Sequence, residues 1–194
     1  MKKIFTLLFA ISIGITSFAQ NAKATMDKAV AALSKSSVSV NFKASGQLND
    51  AGSLQMKGNK YCARGSQAIM WFDGKTQWTY MKSTDEVNIT TPNSKKVSGV
   101  NPYGILNLYK NGYTLSEKKV AGGTEVYMKA TANQGFKEIY ITLNAKLQPT
   151  QIRFLNSKGW TTIVLSNYQT KNLAESTFKF NKKQFPNAEI NDLR

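Results

Sequence analysis

The chain has 194 residues, with 26 Lys+Arg against 11 Asp+Glu, no His and a single Cys, for a formal net charge of +15. That length suits one domain, and a 41% hydrophobic content with 3 Trp, 8 Tyr and 10 Phe is ample for a packed core. Without His there is no Ser-His-Asp or Cys-His catalysis and no His-liganded metal, and one Cys allows neither an intrachain disulfide nor a multi-Cys zinc site, so no metal or cofactor is expected.

The first residues read as a targeting segment. Met1-Lys2-Lys3 is a basic start, Ile4 to Ile15 is an apolar run of 12 residues, and Ser17 and Ala19 supply the small residues that cleavage requires. This is the layout of a secretory signal peptide over 1–19, cut after Ala19. The run falls short of the ~20 residues that span a bilayer. The mature domain over 20–194 is expected to be exported, soluble and monomeric. Without Lys2 and Lys3 it carries 24 basic and 11 acidic residues, +13. Such a charge attracts anionic surfaces, but export argues against nucleic acid, and the basic residues are scattered rather than blocked.

Residues 22–36 predict a helix: Met26, Val30 and Leu33 fall on one side with Ala22, Ala29 and Ala32, while Lys23, Lys28 and Lys35 lie off the stripe. Period two follows. Val38, Val40, Phe42 and Ala44 alternate with polar residues, and after a turn region at 46–52 so do Leu54 and Met56, in a run continuing through Tyr61 and Cys62 to Arg64. A dense apolar run at 68–72 meets Asp73-Gly74, a strong hairpin signal, and Trp78, Tyr80, Val87 and Ile89 continue the alternation. Residues 92–101 read as a loop. Asn101-Pro102 resembles an N-cap with proline at the first helical position, opening a short helix with Tyr103, Ile105, Leu106 and Tyr109 on one side and Gly112 as its end. Alternating segments resume at 113–118, 126–130, 138–143, 151–154 and 160–166, with turns at Gly122-Gly123 and Lys158-Gly159. Phe178 and Phe180 read as a last strand, and 185–194 as an irregular tail.

Roughly ten strands at 8–12-residue spacing predict a mainly β fold: a strongly curved antiparallel sheet, half-open as an incomplete barrel, with both helices on its concave side. The thinly spread acids offer no paired general acid and base: Asp85 and Glu86 are adjacent on a strand and so face opposite ways. No enzyme is expected. The concave face is either a filled core or a cavity lined by aromatic and Met side chains, suited to an apolar ligand; the pattern leaves both readings open. The central helix reads either as a lid or as a fixed plug.

Several stretches together resemble the periplasmic outer-membrane lipoprotein carrier family, LolA. They are the signal peptide, the N-terminal amphipathic helix, Gly58-Asn59-Lys60-Tyr61 leading to Arg64, the run Phe72-Asp73-Gly74-Lys75-Thr76-Gln77-Trp78-Thr79-Tyr80, Asn101-Pro102 with Leu106, and the ending Glu189-Ile190-Asn191-Asp192-Leu193-Arg194. The resemblance implies an incomplete barrel under a helical lid that carries lipoprotein acyl chains through the periplasm. It implies an inner-membrane release complex as donor, a possible outer-membrane acceptor and transient contact with membrane surfaces. The cavity is then expected to be lined by Met26, Val30, Leu33, Val40, Phe42, Met56, Met70, Trp71, Trp78, Tyr80, Ile105, Leu106 and Tyr109. Arg64, six residues after Gly58, matches the family arginine that hydrogen-bonds the lid. A lipid- or apolar-peptide-binding sensor or storage module on the same half-barrel, without transfer activity, is the alternative.

Overall fold

The structure, a computed structural model, describes residues 21–92 and 102–194. The expected signal peptide, most of the 92–101 loop and the Asn101 cap lie outside the described residues. Residues 21–34 are helical (α1) and bury Ala22, Met26, Ala29 and Leu33 at 4% exposure or less. These positions recur every three or four residues, the repeat that keeps one side of a helix against a core. On the exposed side Lys23 and Asp27 pair at 2.8 Å. The hydroxyls of Ser34 and Ser36 donate to the carbonyls of Val30 and Ala32 at the helix end.

Twelve strands follow: β1 (Ser37–Gly46), β2 (Asp50–Lys57), β3 (Lys60–Arg64), β4 (Ala68–Phe72), β5 (Gln77–Met81), β6 (Glu86–Thr90), β7 (Tyr113–Val120), β8 (Gly123–Ala130), β9 (Glu138–Asn144), β10 (Pro149–Asn156), β11 (Gly159–Thr170) and β12 (Glu189–Asp192). They form one sheet in the order β12-β6-β5-β4-β3-β2-β1-β11-β10-β9-β8-β7, antiparallel except for the β12–β6 pair. The sheet curves without closing. α2 (Pro102–Asn107) and a 3-10 turn at Leu108–Lys110 lie between β6 and β7, which sit at opposite flanks of the sheet. The chain must therefore cross the whole sheet between those strands, and Ile105, Leu106 and Tyr109 are buried in the inner core as it does so.

That core collects one parity from nearly every strand: Val38 and Val40 from β1, Leu54 and Met56 from β2, Val126 and Met128 from β8, Ile139, Ile141 and Leu143 from β9, Ile152 and Phe154 from β10. Each such side chain contributes about 1.5–3 kcal/mol when fully buried.

Three local expectations are corrected. The chain turns at Gly58-Asn59, splitting the single run to Arg64 into β2 and β3; Gly58 takes φ +59, a left-handed conformation that costs glycine little. Phe178 belongs to a 3-10 turn, not a strand. The supposedly irregular tail contains β12, parallel to β6. The Asp73-Gly74 hairpin forms between β4 and β5: the Asp73 carboxylate accepts from the backbone N–H groups of Lys75 and Thr76, and Gly74 sits at φ +101.

Candidate functional site

A cavity of about 310 Å3 lies between the inner face and the two helices, at the lower end of the range of ligand pockets. Leu33 of α1 and Ile105 and Leu106 of α2 form one wall. Phe42, Leu54, Met56, Ala63, Met70 and Met81 line the first half of the sheet, and Ile152, Ile163, Leu165 and Tyr168 the second. Pairing puts these residues on one face: Phe42 lies opposite Leu165, Leu54 opposite Ala63, Ala63 opposite Met70 and Met70 opposite Thr79. The cavity reaches exposed residues at one end, where Leu48 and Gln67 lie in the turns after β1 and β3.

Polar groups around this interior are tied off. The Tyr168 hydroxyl donates to the Pro149 carbonyl at 2.6 Å, and the Tyr61 hydroxyl to Gln77 Oε1 at 2.8 Å. Burial pushes both phenols above their ordinary value, so they stay protonated donors. Asp50 at the open end accepts from Ser66 N at 2.7 Å, Ser66 Oγ at 2.6 Å and Ala51 N at 2.8 Å. Burial pushes its carboxyl up, but those donors outweigh burial and hold it below the ordinary value. The result is an apolar hollow whose few heteroatoms are already partnered, so an apolar guest meets little polar surface to desolvate.

The structure divides the expected cavity residues into three groups. Leu33, Phe42, Met56, Met70, Ile105 and Leu106 line the cavity. Met26, Val30, Val40 and Tyr109 belong to the same core but pack away from the hollow. Tyr109 instead donates to Asp27 Oδ1, tying the turn after α2 to α1. Trp71, Trp78 and Tyr80 are on the opposite, outer face, where Trp71 and Trp78 are directly paired. There they pack with Cys62 under the C-terminal segment. Phe185 stands 5.7 Å from Trp71 and 4.5 Å from Tyr80, Phe180 stands 5.6 Å from Trp71, and Phe178 and Leu173 are buried with them.

Arg64 follows the same parity. It is exposed, alternates with the inward Ala63, and holds its guanidinium 5.8 Å from the Trp71 ring on the outer face. It therefore does not face α2, and the lid-holding position expected of it is not where the sheet puts it. A bond from Tyr109 to Asp27 joins α1 to the central helical turn.

Leu54, Ala63, Met81, Ile152, Ile163, Leu165 and Tyr168 were missed as cavity residues. Period two and the parity of Phe42 and Met70 point to most of them. Tyr168 had no local signal: β11 shifts register near Asn167, a residue at φ +56, and the bulge turns Tyr168 inward.

Among the described residues no helix is long and apolar enough to cross a membrane. A similar solved structure is an uncharacterized conserved protein from Thermus thermophilus, with TM-score 0.62 and 16% identity over 89% of this chain and 99% of that one. The LolA superfamily protein NE2245 from Nitrosomonas europaea aligns with TM-score 0.41 and 10% identity over 82% and 97%. The lipoprotein LppX from Mycobacterium tuberculosis aligns with TM-score 0.45 and 11% identity over 78% and 98%. No curated protein matches the sequence. The model of the outer membrane lipoprotein carrier protein LolA family matches residues 14–158, most of the chain, and the protein belongs to that family.

Proposed function

We propose that this protein is a periplasmic carrier, exported by its signal peptide and not an enzyme. It takes the acyl chains of lipoproteins into the cavity and moves them from the inner to the outer membrane. The observation that carries the reading is the apolar hollow itself, roofed by α1 and α2 and open at one end. Acyl chains in water cost ~0.8 kcal/mol per CH2, so a carrier must offer enough apolar wall to offset that and still let go. Here the roof consists of two short elements rather than sheet, and among the described residues the side chains of Leu33, Ile105 and Leu106 close the hollow on that side. Displacing α2 would open the wall without breaking a β ladder.

Purified protein from the native envelope should yield acylated cargo by mass spectrometry of its extract. It should also move a fluorescently acylated lipoprotein from inner-membrane to outer-membrane vesicles, and depletion should leave lipoproteins in the inner membrane. Bound lipid without transfer would favour the sensor or storage module on the same fold; normal sorting after depletion would refute the carrier role.

A further inference from the structure

Five large apolar side chains are exposed among the described residues, and two of them, Ile190 and Leu193, lie at the β12 edge. Leu48 at 37% and Trp160 at 38% lie at another corner of the sheet, with Val164 at 44% further along the same strand as Trp160. The corner is made by two neighbouring turns, 47–49 after β1 and 157–158 before β11. They are joined where Gln47 N–H donates to the Trp160 carbonyl at 3.1 Å. Leu48 also lines the open end of the cavity.

Trp160 points outward and belongs to a ladder across three other strands. Tyr127 and Tyr140 are opposite one another, their rings stacked at 4.7 Å, and Tyr140 is 6.0 Å from Trp160. The Arg153 guanidinium lies 5.4 Å from the Tyr140 ring and 5.2 Å from the Trp160 ring. The rings hold that cation in place without neutralising it. No ion pair among the described residues uses Arg153, Lys158 or Lys43; of the nearby acids, Glu125 pairs with Lys118, Asp50 and Glu138 keep their charge while accepting from Ser66, Ala51 and the Tyr140 hydroxyl, and Glu117 Oε2 is buried without a hydrogen-bond partner among the described residues. The corner therefore combines protruding apolar tips with unspent positive charge. Tryptophan, leucine and arginine in such an arrangement match the amphipathic layer of a bilayer, where rings and stems sit among glycerol and acyl groups and cations reach the phosphates.

We propose that this corner docks on an anionic phospholipid bilayer, with Leu48 and Trp160 entering the headgroup layer and Arg153 and Lys158 facing lipid phosphates. The contact places the open end of the cavity against the membrane, so an acyl chain need not cross open water to enter. A bilayer rather than a protein partner is favoured because the apolar groups sit on turn tips beside the opening and three cations close to them, Arg153, Lys158 and Lys43, have no ion-pair partner among the described residues. The proposal rests on the carrier reading only for its purpose: docking is measured with cargo-free protein, separately from lipid uptake.

The test uses the mature chain and vesicles of phosphatidylethanolamine with phosphatidylglycerol, against vesicles of phosphatidylcholine alone. Sedimentation should show binding to the first and at least tenfold less to the second. Brominated phosphatidylglycerol should quench tryptophan emission in the wild type and not in Trp160→Phe. Leu48→Asp and Trp160→Asp should each lower partitioning at least tenfold with unchanged circular dichroism, and Lys158→Gln about fivefold. Ile190→Asp, on the far edge strand, should leave it unchanged. Met70→Gln should weaken uptake of a fatty-acyl probe while vesicle binding stays intact; loss of both overturns a separate docking corner. Equal partitioning of wild type, Leu48→Asp and Trp160→Asp, or no vesicle binding at all, as expected of a face that meets only protein, overturns the proposal.

Discussion

Filling the hollow is the most direct test of its role, and Ala63→Leu does so from a position whose direction is known. Ala63 is 7% exposed, lies opposite Leu54 and Met70, and lines the cavity. Leucine adds three carbons beyond the alanine methyl, and they enter the space an acyl chain would use. If each displaces one methylene, the guest loses about 2.4 kcal/mol at ~0.8 kcal/mol per CH2, roughly a 50-fold weaker dissociation constant. Because the new atoms enter empty volume, the folded protein should lose less than about 1 kcal/mol; the same change in a filled core would cost ~1–3 kcal/mol. The assay is a titration with an environment-sensitive fatty-acyl probe, paired with thermal or urea unfolding. Unchanged probe affinity with intact folding would remove the cavity as the binding site. A drop in stability of several kcal/mol would show that the interior at Ala63 is packed.

Trp71→Ala should do the reverse: a nearly full-size cavity loss of ~3–5 kcal/mol in unfolding free energy, since Trp71 is 2% exposed, with unchanged probe affinity per folded molecule, because it faces away from the cavity. Phe178→Ala should speed the reaction of Cys62 with a thiol reagent; burial pushes that thiol up, the Arg64 charge only partly opposing it, and Phe178 belongs to the cover over it. Tyr109→Phe should speed release of bound probe by untying the turn after α2 from α1, measured by stopped-flow displacement. Asp27 is held below its ordinary value of 3.8, first by Lys23 and then by Tyr109. Its contribution is therefore complete above about pH 4 and fades as pH falls through the lowered folded value, so release in the wild type should accelerate only in strong acid and in Asp27→Asn should be fast and flat over that range.

Much of the architecture was legible because it is written in short-range patterns. The α1 stripe, the Asp73-Gly74 hairpin and the alternation of β8, β9 and β10 each depend on neighbours a few residues away, and the alternation there contrasts apolar with polar. Val126, Met128, Ile139 and Ile141 could face only the core. The fold family, too, was readable from the order of such pieces along the chain. β4 was different: Ala68 to Phe72 is apolar throughout, so period two cannot say which parity faces the cavity. Assigning both Met70 and Trp71 to one cavity joined adjacent residues that a strand must send to opposite sides.

Only the tertiary structure resolves that choice, because the arbiter lies about a hundred residues downstream. Phe178, Phe180 and Phe185 return to cover the outer face of β3 to β5, which lets Trp71, Trp78 and Tyr80 be apolar on the side away from the core and carries Arg64 outward with them. The volume of the hollow was equally unreadable. It depends on how far the crossing segment at α2 stands from the sheet and on the bulge that turns Tyr168 inward, and both are set by the packing of distant elements rather than by any residue's own preference.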